Sequence, residues 1–141
     1  MLISTKGRYA LRVMIYLARH GQDGYLSLKA ITAQEGISVK YVEAIIAILK
    51  KAGYVEGVRG KGGGYRLTRS PQEYTVDGIL RLTEGTLAPV ACLERGALPC
   101  RRSAHCPTLP LWKQLDALIA DFLSGVTLAD LAGAPAIGPQ D

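Results

Sequence analysis

The sequence predicts a mainly α-helical fold with one small β-hairpin. Two observations carry this. Apolar residues repeat at helical spacing along most of the chain, as with Ala10, Val13, Met14 and Leu17. Between residues 54 and 68 the pattern changes to two short runs rich in Val and Tyr around Arg59-Gly-Lys-Gly-Gly, a turn with a basic tip. Hydrophobic residues make up 48% and aromatics only 6%, which suits helices packed through Leu, Ile, Val and Ala.

The elements follow in order. Residues 5–20, TKGRYALRVMIYLARH, form the first helix, with Arg8, Arg12 and Arg19 opposite the apolar stripe and His20 as a solvated cation at its end. Ser27 caps a short second helix that Gly36 stops. Ser38 caps a third helix, VKYVEAIIAILKK, ended by Gly53. The Gly36-Ile37 turn between them reads as helix-turn-helix. The hairpin comes next. Thr75 caps a fourth helix, VDGILRLTEG, and a loop over 85–107 follows. Thr108 is expected to cap a long last helix to about Gly125, with Pro110 in its first turn. One or two further turns follow from Thr127. The expected units are a winged helix-turn-helix over 1–86, a cysteine-bearing loop over 87–107, a pairing helix region over 108–132 and a disordered tail over 133–141.

Charge is unevenly placed. The chain carries +5 overall, but residues 1–86 hold 13 Lys/Arg against 7 Asp/Glu, and residues 87–141 hold 4 against 5. A basic first part points to double-stranded nucleic acid. No apolar run reaches the roughly 20 residues of a membrane-spanning helix. The first residues lack the order of a secretory signal, so a cytoplasmic location is expected.

Along the third helix Val42, Ile45, Ile46 and Leu49 face the core. Lys40, Glu43, Ala44, Ala47 and Lys51 face outward. The small alanines let such a helix lie close to a major-groove floor, and Ser38 and Lys40 stand at its N-terminus, where a phosphate is favoured. Tyr41 is placed to reach a phosphate or base edge. The hairpin tip brings Arg59 and Lys61 on a backbone without bulk, suited to a minor groove. A nucleotide-phosphate loop fails on spacing, because Gly62 follows Lys61 where Ser or Thr is needed. In the last helix Leu111, Leu115, Leu118 and Phe122 form one apolar stripe, and Trp112, Ile119, Leu123 and Val126 another beside it. A helix with two apolar sides packs its own domain and a partner, so a homodimer is expected.

The stretches STKGRYALRVMIYLA, ISVKYVEAIIAILKKAGYVEGVRGKGGGYRL and TVDGILRLTEG resemble the Rrf2 family of bacterial transcriptional regulators over about residues 1–132, with RGKGGGYRL the most specific part. The resemblance implies a homodimeric winged-helix regulator, often a repressor, not an enzyme, with Arg8 among the DNA-facing residues. In its IscR- and NsrR-type branches the loop before the last helix carries three cysteines that hold a 2Fe–2S cluster; the CymR-type branch lacks them. Cys92, Cys100 and Cys106 match that trio in place and order. The first gap holds seven residues where the pattern has five. The fourth ligand departs too. Leu109 stands where IscR-type chains have a histidine, and Arg8 where NsrR-type chains have an aspartate. His105 is the candidate substitute, with Glu94 behind it.

Four readings of the loop stay open: a 2Fe–2S cluster sensing iron–sulfur status, redox state or nitric oxide, which motif position favours; a Cys/His zinc site; a thiol switch helped by Arg95, Arg101 and Arg102; or an inert remnant. A Cys/His enzyme is set aside because no orienting carboxylate or amide accompanies the pair. A pure protein-interaction module is the other alternative, opposed by the basic hairpin.

Overall fold

The computed structural model describes residues 3–21, 24–98 and 100–133. Six helices and one hairpin follow in order: α1 Thr5–His20, α2 Leu28–Glu35, α3 Val39–Lys51, β1 Val55–Val58, β2 Gly64–Leu67, α4 Val76–Glu84, α5 Leu109–Ser124 and α6 Leu128–Gly133. Helix starts agree with the sequence. The Ser4, Ser27, Ser38 and Thr75 side chains accept backbone N–H bonds from Gly7, Ala30, Tyr41 and Gly78. Gly36 ends α2 at φ 65°, a left-handed conformation that glycine takes without a Cβ penalty.

One expectation is corrected. Thr108 precedes α5 with helical dihedrals and makes no side-chain cap; its hydroxyl lies 3.4 Å from Cys106 Sγ instead. Within the loop before α5, single 3₁₀ turns form at Ala91–Leu93 and Ser103–His105. A third such turn, Pro71–Glu73, joins β2 to α4. The expected disordered tail lies outside the described residues apart from Gly133, which ends α6.

The core has two parts. Ala10, Val13, Met14 and Leu17 of α1 meet Ile31, then Val42, Ile45, Ile46 and Leu49 of α3, with Val55, Tyr74, Ile79 and Leu128 closing the cluster. Removing apolar area of this kind from water is the main term that holds a domain of this size together. A second cluster, Val76, Leu80 and Leu87, packs against Ile119 and Leu123 of α5 and Val126 just after it. So one apolar stripe of α5 is used within the chain. The other stands open, with Leu111 55%, Leu118 66% and Phe122 70% exposed.

Helix α6 returns to the main core. Leu128 is fully buried there. The Val76 N–H bonds to the Val126 carbonyl at 2.9 Å, and the Leu128 N–H to the Tyr74 carbonyl at 2.9 Å. Arg19 Nε donates to the Ala132 carbonyl at 2.9 Å. Among the described residues no helix is long and apolar enough to cross a membrane.

Candidate nucleic-acid interface and cysteine loop

The hairpin is tied to the helices at its root. Strands β1 and β2 pair antiparallel, Val55 with Leu67 through Val58 with Gly64. Tyr65 also exchanges both backbone bonds with Leu26, at 2.9 and 2.8 Å, so the α1–α2 connection acts as a third edge. Gly64 allows that approach: a Cβ there would stand 2.2 Å from the Leu26 carbonyl oxygen. The root is held again by Tyr74. Its hydroxyl donates to the Tyr54 carbonyl at 2.8 Å and accepts the Arg69 and Thr68 N–H groups at 3.0 and 3.1 Å. The wing is thus a fixed projection at its base.

Its tip is free of packing. Arg59 and Lys61 are exposed, and Gly60 and Gly62 take φ 96° and 78°. On α3, Lys40, Glu43, Ala44 and Ala47 are exposed while Val42, Ile45, Ile46 and Leu49 are buried. Ser38 is exposed, and its oxygen accepts the Tyr41 N–H at 3.2 Å. Lys40, Arg59 and Lys61 form no ion pair among the described residues. The wing and the start of α2 border an open groove of about 470 Å³ that has Lys50 and Arg59 on its walls.

Tyr41 is only half-available. Its ring packs edge-on against Tyr9 of α1, centroids 5.8 Å apart. The three arginines of α1 divide as well. Arg12 binds Glu35 of α2 at 2.7 Å, and Arg19 binds the end of α6, so both hold helices together. Arg8 remains exposed, with a local bond to Thr5. A second junction ties α1 to α4. The Ser4 N–H donates to Glu84 Oε1 at 3.2 Å, and a Cβ on Gly7 would stand 2.2 Å from the same oxygen. Sequence reasoning missed Lys50, Glu84 and the Leu26–Tyr65 bridge. Only the Gly63-Gly64 pair, one glycine more than a turn needs, signals the bridge in advance.

The cysteines lie on the exposed side of the loop. Cys92 and Cys100 are exposed, Cys106 is half-buried, and all three are free thiols. Cys106 stands just ahead of α5. The Thr108 hydroxyl, then the Thr108 and Leu109 N–H groups and the Arg102 charge, hold its thiol below the usual range against a smaller opposing effect of burial. Three soft thiols in one segment suit an iron–sulfur cluster as a donor set. Among the described residues no three His, Cys, Asp or Glu side chains come together as a metal site, and His105 is exposed in its 3₁₀ turn.

Comparison with known proteins gives one family. The family model described as "Rrf2: Iron-dependent Transcriptional regulator" matches residues 3–134. A relative named HTH-type transcriptional regulator IscR, from Aliivibrio salmonicida (strain LFI1238), is 37% identical over 131 residues, covering 93% of this chain and 77% of the relative. The solved structure of CymR, the global cysteine regulator of B. subtilis, superposes with a TM-score of 0.76 at 38% identity, covering 94% of this chain and 96% of that one. The structure of T. potens IscR gives 0.75 at 35% identity, covering 100% and 94%.

Proposed function

The chain belongs to the Rrf2 family of transcriptional regulators, and from that premise we propose that it is a homodimeric, cluster-sensing switch on double-stranded DNA in the cytoplasm. That it is a DNA-binding regulator with a winged-helix fold, and not an enzyme, follows from the family and the shared architecture. The finer reading rests on its own residues.

One observation carries the DNA contacts. The exposed face of α3 and the wing tip present Lys40, Arg59 and Lys61, cations with no protein partner among the described residues, beside small alanines. Helix α3 enters the major groove, with Ser38, Lys40, Tyr41, Glu43 and Ala44 toward bases and phosphates. Arg59 and Lys61 reach the minor groove and backbone, and Arg8 adds a phosphate contact. The groove at the wing root, with Lys50, gives the backbone a positive track.

The open stripe of α5 supports pairing of two chains, which would set two α3 helices on half-sites about 34 Å apart. Residues 1–86 then read DNA, 87–107 sense, and 108–132 pair. Cys92, Cys100 and Cys106 would hold a 2Fe–2S cluster, with His105 as the added ligand; the cluster would supply sensitivity to redox state or nitric oxide. This chain's part is to join the thiol segment directly to α4 and α5, so that ordering the loop bears on the angle between paired α3 helices. Such a switch works only if the two states differ in operator affinity.

The test is the visible absorption spectrum, with iron and zinc analysis, of protein purified without oxygen. About two iron per chain, lost in Cys→Ala variants, would support the cluster. Zinc in its place, or no metal with intact DNA binding, would overturn it and leave a zinc-bearing or thiol-switched regulator.

A further inference from the structure

Beside the cysteine segment, but lined by none of its thiols, lies a cavity of about 500 Å³ between α4, the loop and α5. Its volume is in the range of small-molecule sites. Four polar side chains line it: Arg81 of α4, Thr86 and Arg95 of the loop, and Asp116 of α5.

The hydrogen-bonding groups on its walls are not used up by one another, although the Asp116 charge is felt by Arg81. Asp116 is half-buried, and neither it nor Arg95 has an ion-pair or hydrogen-bond partner among the described residues. They face the same cavity without closing on each other. Arg81 gives its Nε to Asp77 at 2.9 Å, and its other guanidinium N–H groups have no hydrogen-bond partner among the described residues. The Thr86 hydroxyl oxygen accepts the Ala88 N–H at 3.2 Å, so its own proton is free to donate. The walls thus offer two guanidinium groups and a hydroxyl as donors, and one carboxylate as acceptor. A ligand bearing both complementary groups would fill these open donor and acceptor positions at once.

The geometry points to a binding site for a small carboxylate that also carries a hydrogen-bond donor, a hydroxyl or ammonium group. The ligand carboxylate lies against Arg95 and Arg81, and its donor reaches Asp116. Because the walls come from α4, the loop and α5, occupancy would fasten the loop to the helices on either side of it. The site is built without the thiols and stands whether or not they hold a cluster.

The test is calorimetric titration of the full chain with L-malate, which carries the donor, and with succinate, which lacks it. L-malate is expected to bind saturably and more tightly than succinate. Arg95→Ala should weaken it about tenfold or more, and Asp116→Asn should abolish the preference over succinate. Arg95 makes no contact that folding needs, so its variant stays folded, as circular dichroism would verify. Arg101→Ala, outside the cavity, should change nothing. No saturable heat with L-malate, affinity unchanged in Arg95→Ala, or equal affinity for the two acids would each overturn the assignment. Metal content is read separately: a chain that holds no metal yet binds L-malate through Arg95 and Asp116 would keep this site and remove the cluster, so the two readings fail separately.

Discussion

Replacing Gly64 by alanine is the sharpest test of how the wing is held. The residue has φ +149°, and an added Cβ would meet backbone on three counts: the Leu26 oxygen at 2.2 Å, the Leu26 carbon at 2.4 Å and the Ser27 nitrogen at 2.8 Å. Backbone cannot rotate away as a side-chain end can, so the α1–α2 connection must part from β2. The two Leu26–Tyr65 bonds are lost, at about 1 kcal/mol each. A non-glycine residue with that φ adds roughly 1–2 kcal/mol. The sum, about 3–4 kcal/mol, corresponds to a fall in Tm of roughly 10–15 °C for a chain of this length. Gly60→Ala is the control. It too has positive φ, but nothing lies within 4 Å of its Cβ, so it should cost only the strain, about 1–2 kcal/mol. Thermal unfolding by circular dichroism at one fixed protein concentration reads both. If Gly64→Ala melts within about 2 °C of Gly60→Ala, the wing is not locked by that bridge and the reasoning fails.

Four other outcomes are expected. Tyr74→Phe strips the Tyr54 carbonyl and the Thr68 and Arg69 N–H groups of their shared partner; it should destabilise by about 2 kcal/mol in denaturant melts. Gly7→Ala pushes the Glu84 carboxylate off Ser4, so it should cost about 1 kcal/mol alone, the worth of that contact, and less in a Glu84→Ala background; strict additivity in that double-mutant cycle would count against the junction. In DNA titrations Arg59→Ala should lower operator affinity by roughly tenfold or more, while Lys61→Ala should reduce the salt slope by about one; an unchanged slope would remove Lys61 from the phosphate contacts. The Cys106 thiol is depressed, so in metal-free protein it should alkylate at lower pH than an ordinary thiol. Thr108→Val should move that midpoint up, as mass spectrometry of timed reactions would show.

The helices were legible because their signals are local. Ser27, Ser38 and Thr75 precede apolar periodicity and cap their helices, and Gly36 closes α2, whereas the caps made by Ser4 and Thr127 were not read. The two stripes of α5 were readable for the same reason, and they separate into a half-buried side packed on α4 and an open side. What stayed hidden depends on residues distant in sequence. Nothing near Arg12 or Arg19 says that one meets Glu35 and the other the end of α6. Nothing near Glu84 says that it reaches Ser4, 80 residues away. Thr108 misled because a threonine before Pro110 has the pattern of a cap, whereas its hydroxyl is beside Cys106. For the candidate interface, exposure of Lys40, Glu43, Ala44, Arg59 and Lys61 followed from periodicity and turn chemistry. The ring of Tyr41 did not, since its neighbour Tyr9 belongs to another helix.

Helix α5 lies along α4 after the loop, and α6 brings the chain back into the main core. In mechanical terms α5 is a lever pinned at its far end. The pin is two hydrogen bonds, Val76 to Val126 and Leu128 to Tyr74, and the second passes its load to a residue whose hydroxyl grips the root of the wing. A roll of α5 therefore cannot be absorbed by a slack tail. Any roll carried past the pin would load Tyr74, whose hydroxyl bonds to the Tyr54 carbonyl at the base of the hairpin. The same clamp makes the chain indivisible: cutting after α5 would pull Leu128 out of the core as well as remove a turn of helix.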